Sequence, residues 1–523
     1  METTASRPSF RQVLASDRFQ YGAEVVTARG LPPPESPNRI AELARVLLDD
    51  RRIGWISLTD NPGGAPSLPP DWLAGQLPES RERIVLHLTC KDMNRNGLES
   101  AAWRYAAEGF DNLLALTGDY PTTGFRGTAD PVFDLDSVGL ISLLQSMNNG
   151  LQIAGRGGKP ETLPKCSFFI GCTVSPFKRY ERELMPQYFK LARKIRAGAR
   201  WVIPQLGYDM RKFHEVKLVL ASRGVDVPIV GNVYVLSRAV ARIFNSGKLA
   251  GCVVSDELLA QVEKYAAGPD KGKVFFREFA AKQLAVFKGL GFTAGYLAGI
   301  HNAEAFFEII DLAESFGADD WRQFLTEIRF SQPDEFFLFE HDPATGLSAP
   351  DRINPEYLKS LDRPPPSGEV TVGYRISRRV HDFAFARGKG VYGLLTRLFA
   401  RWDKKPGLLS RVSYWLEREA KHLGYGCQDC GDCSLPDCAY LCPMAGCSKH
   451  SRNGPCGGSN LGRCELDDKE CFWARVYERL KYYGQSQEMF DGPPVLYDAR
   501  LKHTSAWANT YLDRDHFAPE KHA

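Results

Sequence analysis

Nine of the thirteen cysteines stand between Cys427 and Cys471. They run Cys427-x2-Cys430-x2-Cys433-x4-Cys438-x3-Cys442-x4-Cys447, then Cys456, Cys464 and Cys471. No apolar core needs thiols at that density. Gaps of two to four residues bring several sulfurs around one point, as a zinc ion or an iron–sulfur cluster requires. The first three followed by Cys442-Pro443 approach a ferredoxin pattern, with Cys438 interposed. Eight thiols suffice for two 4Fe–4S clusters with the ninth spare, or for two structural zinc ions. His422 and His450 are candidate substitutes for a thiolate. Iron and zinc favour similar thiolate sites, so spacing leaves both open.

A second set of chemical residues interrupts apolar, β-branched runs. Glu24 sits in Tyr-Gly-Ala-Glu-Val-Val, His87 and Thr89 in Leu-His-Leu-Thr-Cys, and Asp119 in Leu-Thr-Gly-Asp-Tyr-Pro. Thr59, Asp60 and Asn61 close another run, Gln205 follows Pro204, and Asn232 lies in Gly-Asn-Val. An acid in an apolar strand is either paired with a cation or kept partly protonated by burial, and a raised pKa suits a general acid. Each residue also has a plain structural reading. Glu24 could be hydrogen-bonded inside a barrel, Asp119 could cap a turn, His87 could be a satisfied core histidine, and Gln205 could tie down a loop.

The elements that would position them alternate. Strands are expected at 21–28, 53–60, 83–90, 112–119, 166–174, 199–206, 228–236 and 294–301. Helices are expected at 37–50, 98–109, 138–148, 180–198, 210–224, 256–289 and 303–316, with Gly109, Gly198, Gly224 and Gly291 as stops. Eight such units predict an α/β fold, a (β/α)8 TIM barrel, with chemistry at the C-terminal strand ends. A doubly wound sheet is the rival, and the lack of a Gly-rich phosphate loop counts against it. The expected division is a barrel over 1–318, a connecting region over 319–400, a small Cys-rich metal-binding α+β domain over 401–490, and a tail over 491–523 that packs back on the body. A helical stretch at 391–422 is broken at Pro406. Trp415, Tyr425 and Trp473 are expected to be core of the small module.

The chain is 43% hydrophobic and 25% charged, with a net charge of +3. That balance gives no signal for nucleic acid. No secretory h-region and no apolar run long enough to span a membrane is visible. A cytoplasmic protein with cysteines as ligands rather than disulfides is expected.

Residues ~20–316 resemble 5,10-methylenetetrahydrofolate reductase, a flavin-containing barrel. The resemblance is carried by Glu24, Leu86-His-Leu-Thr-Cys90, Leu116-Thr-Gly-Asp-Tyr-Pro121, Arg193-Lys-Ile-Arg-Ala-Gly-Ala199, Pro204-Gln205 and Gly231-Asn-Val. Residues ~400–485 resemble the zinc-finger-like C-terminal domain of the same reductases, a separate subunit in acetogenic bacteria. Cys427-x2-Cys-Gly-Asp-Cys, Leu441-Cys-Pro443, Asn453-Gly-Pro-Cys-Gly-Gly458, Gly462-Arg-Cys-Glu465 and Cys471-Phe-Trp carry that second likeness. The chain resembles both subunits fused.

The resemblance implies interconversion of 5,10-methylene- and 5-methyltetrahydrofolate through a flavin, FAD or FMN. It implies Glu24 as the general acid on folate N10 and Asp119 beside flavin and pterin. Gln205 and Asn232 would contact the folate. Thr59, His87, Thr89, Asp119, Arg193 and Lys194 match flavin-binding positions. The family's Tyr-Pro-Glu-Val-His-Pro is Gly171-Cys-Thr-Val-Ser-Pro176 here. That departure implies weaker flavin binding, FMN for FAD, or another geometry. NAD(P)H is a possible donor without a motif of its own. A redox partner protein and a homo-oligomer complete the expected partners. Two other readings compete: a folate-dependent methyltransferase barrel serving a corrinoid or thiol, and a non-catalytic scaffold built on the metal domain.

Overall fold

The computed structural model describes residues 7–33, 38–155, 157, 159–249 and 251–518. Eight parallel strands form its main sheet: β1 (Gln20–Val25), β2 (Ile53–Leu58), β3 (Ile84–Thr89), β4 (Asn112–Leu116), β5 (Phe169–Val174), β6 (Trp201–Pro204), β7 (Val230–Tyr234) and β8 (Ala294–Ala298). Neighbours follow chain order, and β8 returns to pair with β1. A parallel bridge between Val202 and Ile229 joins β6 to the start of β7 and closes the ring. The expected (β/α)8 barrel is what the chain forms. All eight strands lie where the alternation put them, seven of them trimmed at the C-terminal end and the fifth shortened only at its start.

Side-chain alternation splits the apolar residues into two cores. Inside the barrel are Trp55, Val85, Leu114, Trp201, Ile203, Val230, Ala294, Tyr296 and Ala298. Outside, a larger core lies between strands and helices. A short helix, Phe10–Leu14, plugs the N-terminal end with Phe10 against Trp55, Phe169 and Trp201. Two glycines make room for the tryptophans. A Cβ on Gly22 would lie 2.1 Å from the Trp55 ring, and one on Gly171 would lie 2.2 Å from Trp201. Gly171–Val174 lies in β5, as expected, and Gly171 stands where it does because Trp201 fills the barrel beside it.

The helices that matter for the site are α1 (Ser137–Asn149), after β4, and α2 (Glu181–Arg196), after β5. The predicted 256–289 helix is two, Asp256–Ala266 and Lys273–Gly289, parted where Gly272 takes a positive φ of 79°. The helix expected at 37–50 spans Arg39–Asp49, and Pro37 lies outside the described residues. Alternation gave no sign of the exposed hairpin Gln152–Ala154 with Pro160–Thr162, nor of the helices Pro70–Ala74 and Arg238–Asn245.

Beyond the barrel come the hairpin Phe339–His341 with Ser348–Ile353 and a set of helices. Among these, α3 (Tyr392–Lys404) and α4 (Leu408–Tyr425) are parted at Pro406, as expected. In the Cys-rich segment the regular elements are helices, chiefly α5 (Phe472–Tyr482). Strand pairing there is confined, among the described residues, to the bridges Asn460–Arg463 and Arg463–Glu470. Trp473 is buried at 2% exposure, but Trp415 is 55% exposed and is not core. The tail folds back, with His516 between Asp432 and Asp437 at 2.5 and 3.0 Å.

Candidate functional site at the barrel mouth

Register and parity bring Glu24 of β1 beside Ser57 of β2, both facing inward. Tyr296 of β8 donates its hydroxyl to Glu24 Oε2 at 3.2 Å, and Ser57 Oγ meets His87 Nε2 at 2.7 Å. Burial pushes Glu24 up to about 7, with the Tyr296 bond pulling weakly the other way. Burial pushes His87 down to about 4, so its ring is neutral. Burial also holds the Tyr296 hydroxyl well above its usual range, so it stays protonated. Of these three, Glu24 alone changes charge near neutrality. Tyr296 and Ser57 escaped the sequence reading, and their only signal was inward parity in strands two and eight.

Around this acid several buried polar atoms lack partners: Thr59 Oγ1, Asn232 Oδ1 and Ser175 Oγ. Asn232 Nδ2 is spent on the Pro204 carbonyl at 3.2 Å, and Gln205 Oε1 accepts from Leu206 N at 3.0 Å. Cys252, buried nearby, has its thiol pushed up to about 12 by burial, with Asp119 and Glu24 adding to the shift. Asp119 is exposed and its Oδ2 accepts from Gly63 N at 2.8 Å, which clasps the loops after β2 and β4 together. Thr89 is occupied by Asp60, whose Oδ2 takes its N–H at 3.0 Å and its hydroxyl at 2.6 Å. Orphaned polar atoms at a mouth are what a polar ligand satisfies, so Thr59, Ser175 and Asn232 fit a flavin or pterin edge.

Arg193 and Lys194 are buried on α2, where backbone carbonyls take up their charged ends. Lys194 Nζ binds the Thr173 carbonyl at 2.6 Å, and Arg193 binds the Pro493 carbonyl and lies over the Phe490 ring. Arg193 Nε is buried without a partner.

The Asn453-Gly-Pro-Cys-Gly-Gly458 loop covers this side of the mouth. Lys178 Nζ donates to the Gly457 carbonyl at 2.5 Å, and Lys190 Nζ donates to those of Gly454 and Pro455, both at 3.0 Å. Lys449 reaches back to the Gly118 carbonyl at 3.0 Å. Asp136, the N-cap of α1, accepts from Asn453 N at 2.8 Å, Asn453 Nδ2 at 3.2 Å and Ser451 Oγ at 3.1 Å. Burial works to raise the Asp136 pKa, but Lys190 and the N–H donors outweigh it and hold the group low. On the flank, α5 packs on α2, and Tyr477 donates to Glu181 at 2.6 Å. Asp136→Ala removes a cap and leaves three donors facing a cavity. It is expected to destabilise the docked state by about 3–5 kcal/mol. Limited proteolysis should then cut between barrel and Cys-rich segment, and an unchanged digest would rule out the docking role.

The nine thiols fall into two neighbourhoods and one remainder. Cys427, Cys430, Cys433 and Cys442 line one small cavity and act on one another's ionisation. Cys447, Cys464 and Cys471 each feel Cys456. Cys438 is fully buried between the two, near Cys442 and Cys447. Burial pushes Cys433 up to about 11, and Cys447 and Cys471 up to about 12. Against that, backbone N–H groups two or three residues on point at sulfurs. Asp429 N and Gly458 N lie 3.4 Å from Cys427 and Cys456, and similar donors face Cys442, Cys447, Cys464 and Cys471. Among the described residues, no three His, Cys, Asp or Glu side chains already stand as a closed ligand set.

An eight-stranded barrel with a half-buried acid and unpartnered polar atoms at its C-terminal rim defines a TIM-barrel protein with an enzyme-like mouth. A family model described as methylenetetrahydrofolate reductase matches residues 10–313. A second, methylene-tetrahydrofolate reductase C terminal, matches residues 408–495. The chain belongs to the methylenetetrahydrofolate reductase family. Similar curated proteins include 5,10-methylenetetrahydrofolate reductase of Salmonella typhimurium, 28% identical over 38% of this chain and 62% of the relative. Its counterpart in Pectobacterium carotovorum is 28% identical over 29% and 43%, and methylenetetrahydrofolate reductase 2 of Saccharomyces cerevisiae is 28% identical over 34% and 28%. The chain thus spans less than two thirds of the length of these relatives. Among solved structures, an uncharacterized Clostridium thermocellum protein that binds two copies of 5-methyl-5,6,7,8-tetrahydrofolic acid aligns at a TM-score of 0.39 and 11% identity. That alignment covers 58% of this chain and 96% of the other.

Proposed function

We propose that the protein interconverts 5,10-methylene- and 5-methyltetrahydrofolate, with Glu24 as the proton donor and acceptor at folate N10. The observation that carries this is Glu24 itself. It is an inward acid raised to about 7, held by Tyr296 at the mouth of a barrel of this family. Opening the five-membered ring of the methylene substrate needs a proton on N10, and an acid titrating near neutrality both holds and gives it. Tyr296 fixes the carboxyl by one hydrogen bond. His87, neutral and tied to Ser57, lines the same wall without competing for the proton. Asn232, Gln205 and Asp119 offer polar contacts to a pterin, and Thr59 and Ser175 to a flavin. A flavin bound there would supply the hydride chemistry. The Cys-rich loop helps shut water out over the β5 and β6 side.

The two thiol neighbourhoods support a four-and-four division, Cys427, Cys430, Cys433, Cys442 and Cys447, Cys456, Cys464, Cys471, each suited to one zinc ion or one iron–sulfur cluster. Backbone donors on the sulfurs favour the thiolate form that either metal needs. The test is anaerobic purification followed by the visible spectrum, metal content, and menadione-linked oxidation of 5-methyltetrahydrofolate. Bound flavin with folate oxidation is expected. A flavin-free protein that passes the methyl group to a corrinoid or thiol would establish the methyltransferase instead.

A further inference from the structure

The helices at 372–425 are built the wrong way round for a surface that faces water. In α4 the buried residues are Glu417 and Lys421. They pair at 2.6 Å, and Glu417 also accepts from Ser505 Oγ at 2.5 Å and Trp507 N at 3.0 Å. The polar side of the helix therefore points inward. Its apolar stripe points out: Leu408, Leu409, Val412, Trp415, Leu416 and Leu423 are 43–85% exposed. The neighbouring helices add Ile376, Val380 and Leu394, each more than half exposed. An exposed apolar stripe of this length marks an interaction surface.

Charge says what covers it. Residues 371–425 hold twelve Lys and Arg against four Asp and Glu, a formal +8 in a chain whose total is +3. The rest of the molecule is therefore net acidic, and the excess positive charge lies on the segment that carries the apolar stripe, with Lys421 turned inward and Arg387 paired with Asp513. We propose that this face docks on an anionic lipid surface, with the turn at 404–409 seated among the headgroups. Lys404, Lys405 and Arg411 flank Leu408 and Leu409, which are 77% and 68% exposed at the tip between α3 and α4. Leucines on a protruding turn enter a headgroup layer, and basic residues beside them meet lipid phosphates. A second copy would set +8 against +8. Trp415, halfway along the stripe, is a residue type that favours the membrane–water interface. No helix among the described residues is long and apolar enough to cross a membrane, so the contact lies on the surface. Between the 372–385 segment, α4 and the Cys-rich segment runs a cavity of about 1330 Å³ that reaches Cys433 and Cys442. Docking here would hold the first thiol group near the lipid.

The experiment is flotation of the full-length protein with vesicles of phosphatidylcholine alone and of equal parts phosphatidylcholine and phosphatidylglycerol, at low and raised salt. Binding to the anionic vesicles only, weakening with salt, is expected. Leu408→Asp with Leu409→Asp should weaken it by more than about tenfold. The melting temperature should not change, because both side chains face outward. Tryptophan emission should shift to the blue on those vesicles, and Trp415→Phe should lose that shift. Three results overturn the proposal. One is equal or absent binding to both vesicles. Another is loss of binding with Lys404→Glu and Lys405→Glu but not with the leucine changes, which makes the contact purely electrostatic and removes the leucine tip from it. The third is a concentration-dependent dimer that Leu408→Asp dissolves, which gives the face to a second copy.

Discussion

Glu24→Gln is expected to lower folate turnover by about 10²–10⁴-fold while flavin and folate still bind. Glutamine keeps the oxygen that accepts from Tyr296, so the loss isolates the proton and not the packing. Wild-type activity in the reducing direction should fall as pH rises through about 7, where Glu24 loses its proton, and the variant should lack that limb. Tyr296→Phe removes the one bond that lowers the Glu24 pKa, so its limb should move to higher pH. Stability provides an independent readout. The folded pKa of about 7 lies above the ordinary value of 4.5, so the folded state binds the proton more tightly. Glu24 therefore costs stability progressively as pH rises from about 4.5 to 7, and the full cost remains above that. Glu24→Gln escapes it, and should be more stable than the wild type by about 3 kcal/mol above pH 7 and equal to it below pH 4. A variant with full turnover and an unchanged pH profile would remove Glu24 from the chemistry.

What the sequence made legible here follows from period and parity. Eight strands could be placed because each is an apolar run buried on both faces, and Glu24 could be singled out because it breaks one. The partner Tyr296 was silent, because a tyrosine in Ala-Gly-Tyr-Leu-Ala looks like core until parity turns it toward the acid. Arg193 and Lys194 matched cofactor positions by order in the chain. Where their cationic ends go depends on carbonyls at Pro493 and Thr173, one of them 300 residues away. The docking of Asn453 on Asp136 is likewise a contact between two loops with no periodicity, so no window of sequence contains it. Trp415 was misplaced for a clearer reason. An apolar stripe at helical spacing says that a helix has one greasy face, but not whether that face is turned to the protein or away from it. In α4 the buried Glu417–Lys421 pair decides the matter the other way.

The thiols give the second large effect. Serine at Cys442 should remove the metal of the first neighbourhood only, and serine at Cys456 that of the second only. Each is expected to cost on the order of 5–10 kcal/mol, because metal binding in small thiolate modules is itself folding free energy. Cys438→Ser should keep both metals. It only exchanges a buried thiol for a hydroxyl among apolar neighbours, at about 1–3 kcal/mol. Cys456→Ser carries a further consequence, since its loop supplies the carbonyls of Gly454, Pro455 and Gly457 to Lys190 and Lys178. Without its metal the loop loses its shape, and two lysines that are 1% and 2% exposed lose their carbonyl acceptors at the barrel mouth. Loss of the second metal should therefore weaken flavin retention, whereas loss of the first, farther from those lysines, should not. Metal content per chain, the melting curve and the flavin-to-protein ratio of the three variants measure all of this together. If Cys438→Ser loses metal as Cys442→Ser does, the four-and-four division is wrong. If Cys442→Ser and Cys456→Ser each empty both neighbourhoods, the thiols form one coupled centre instead of two.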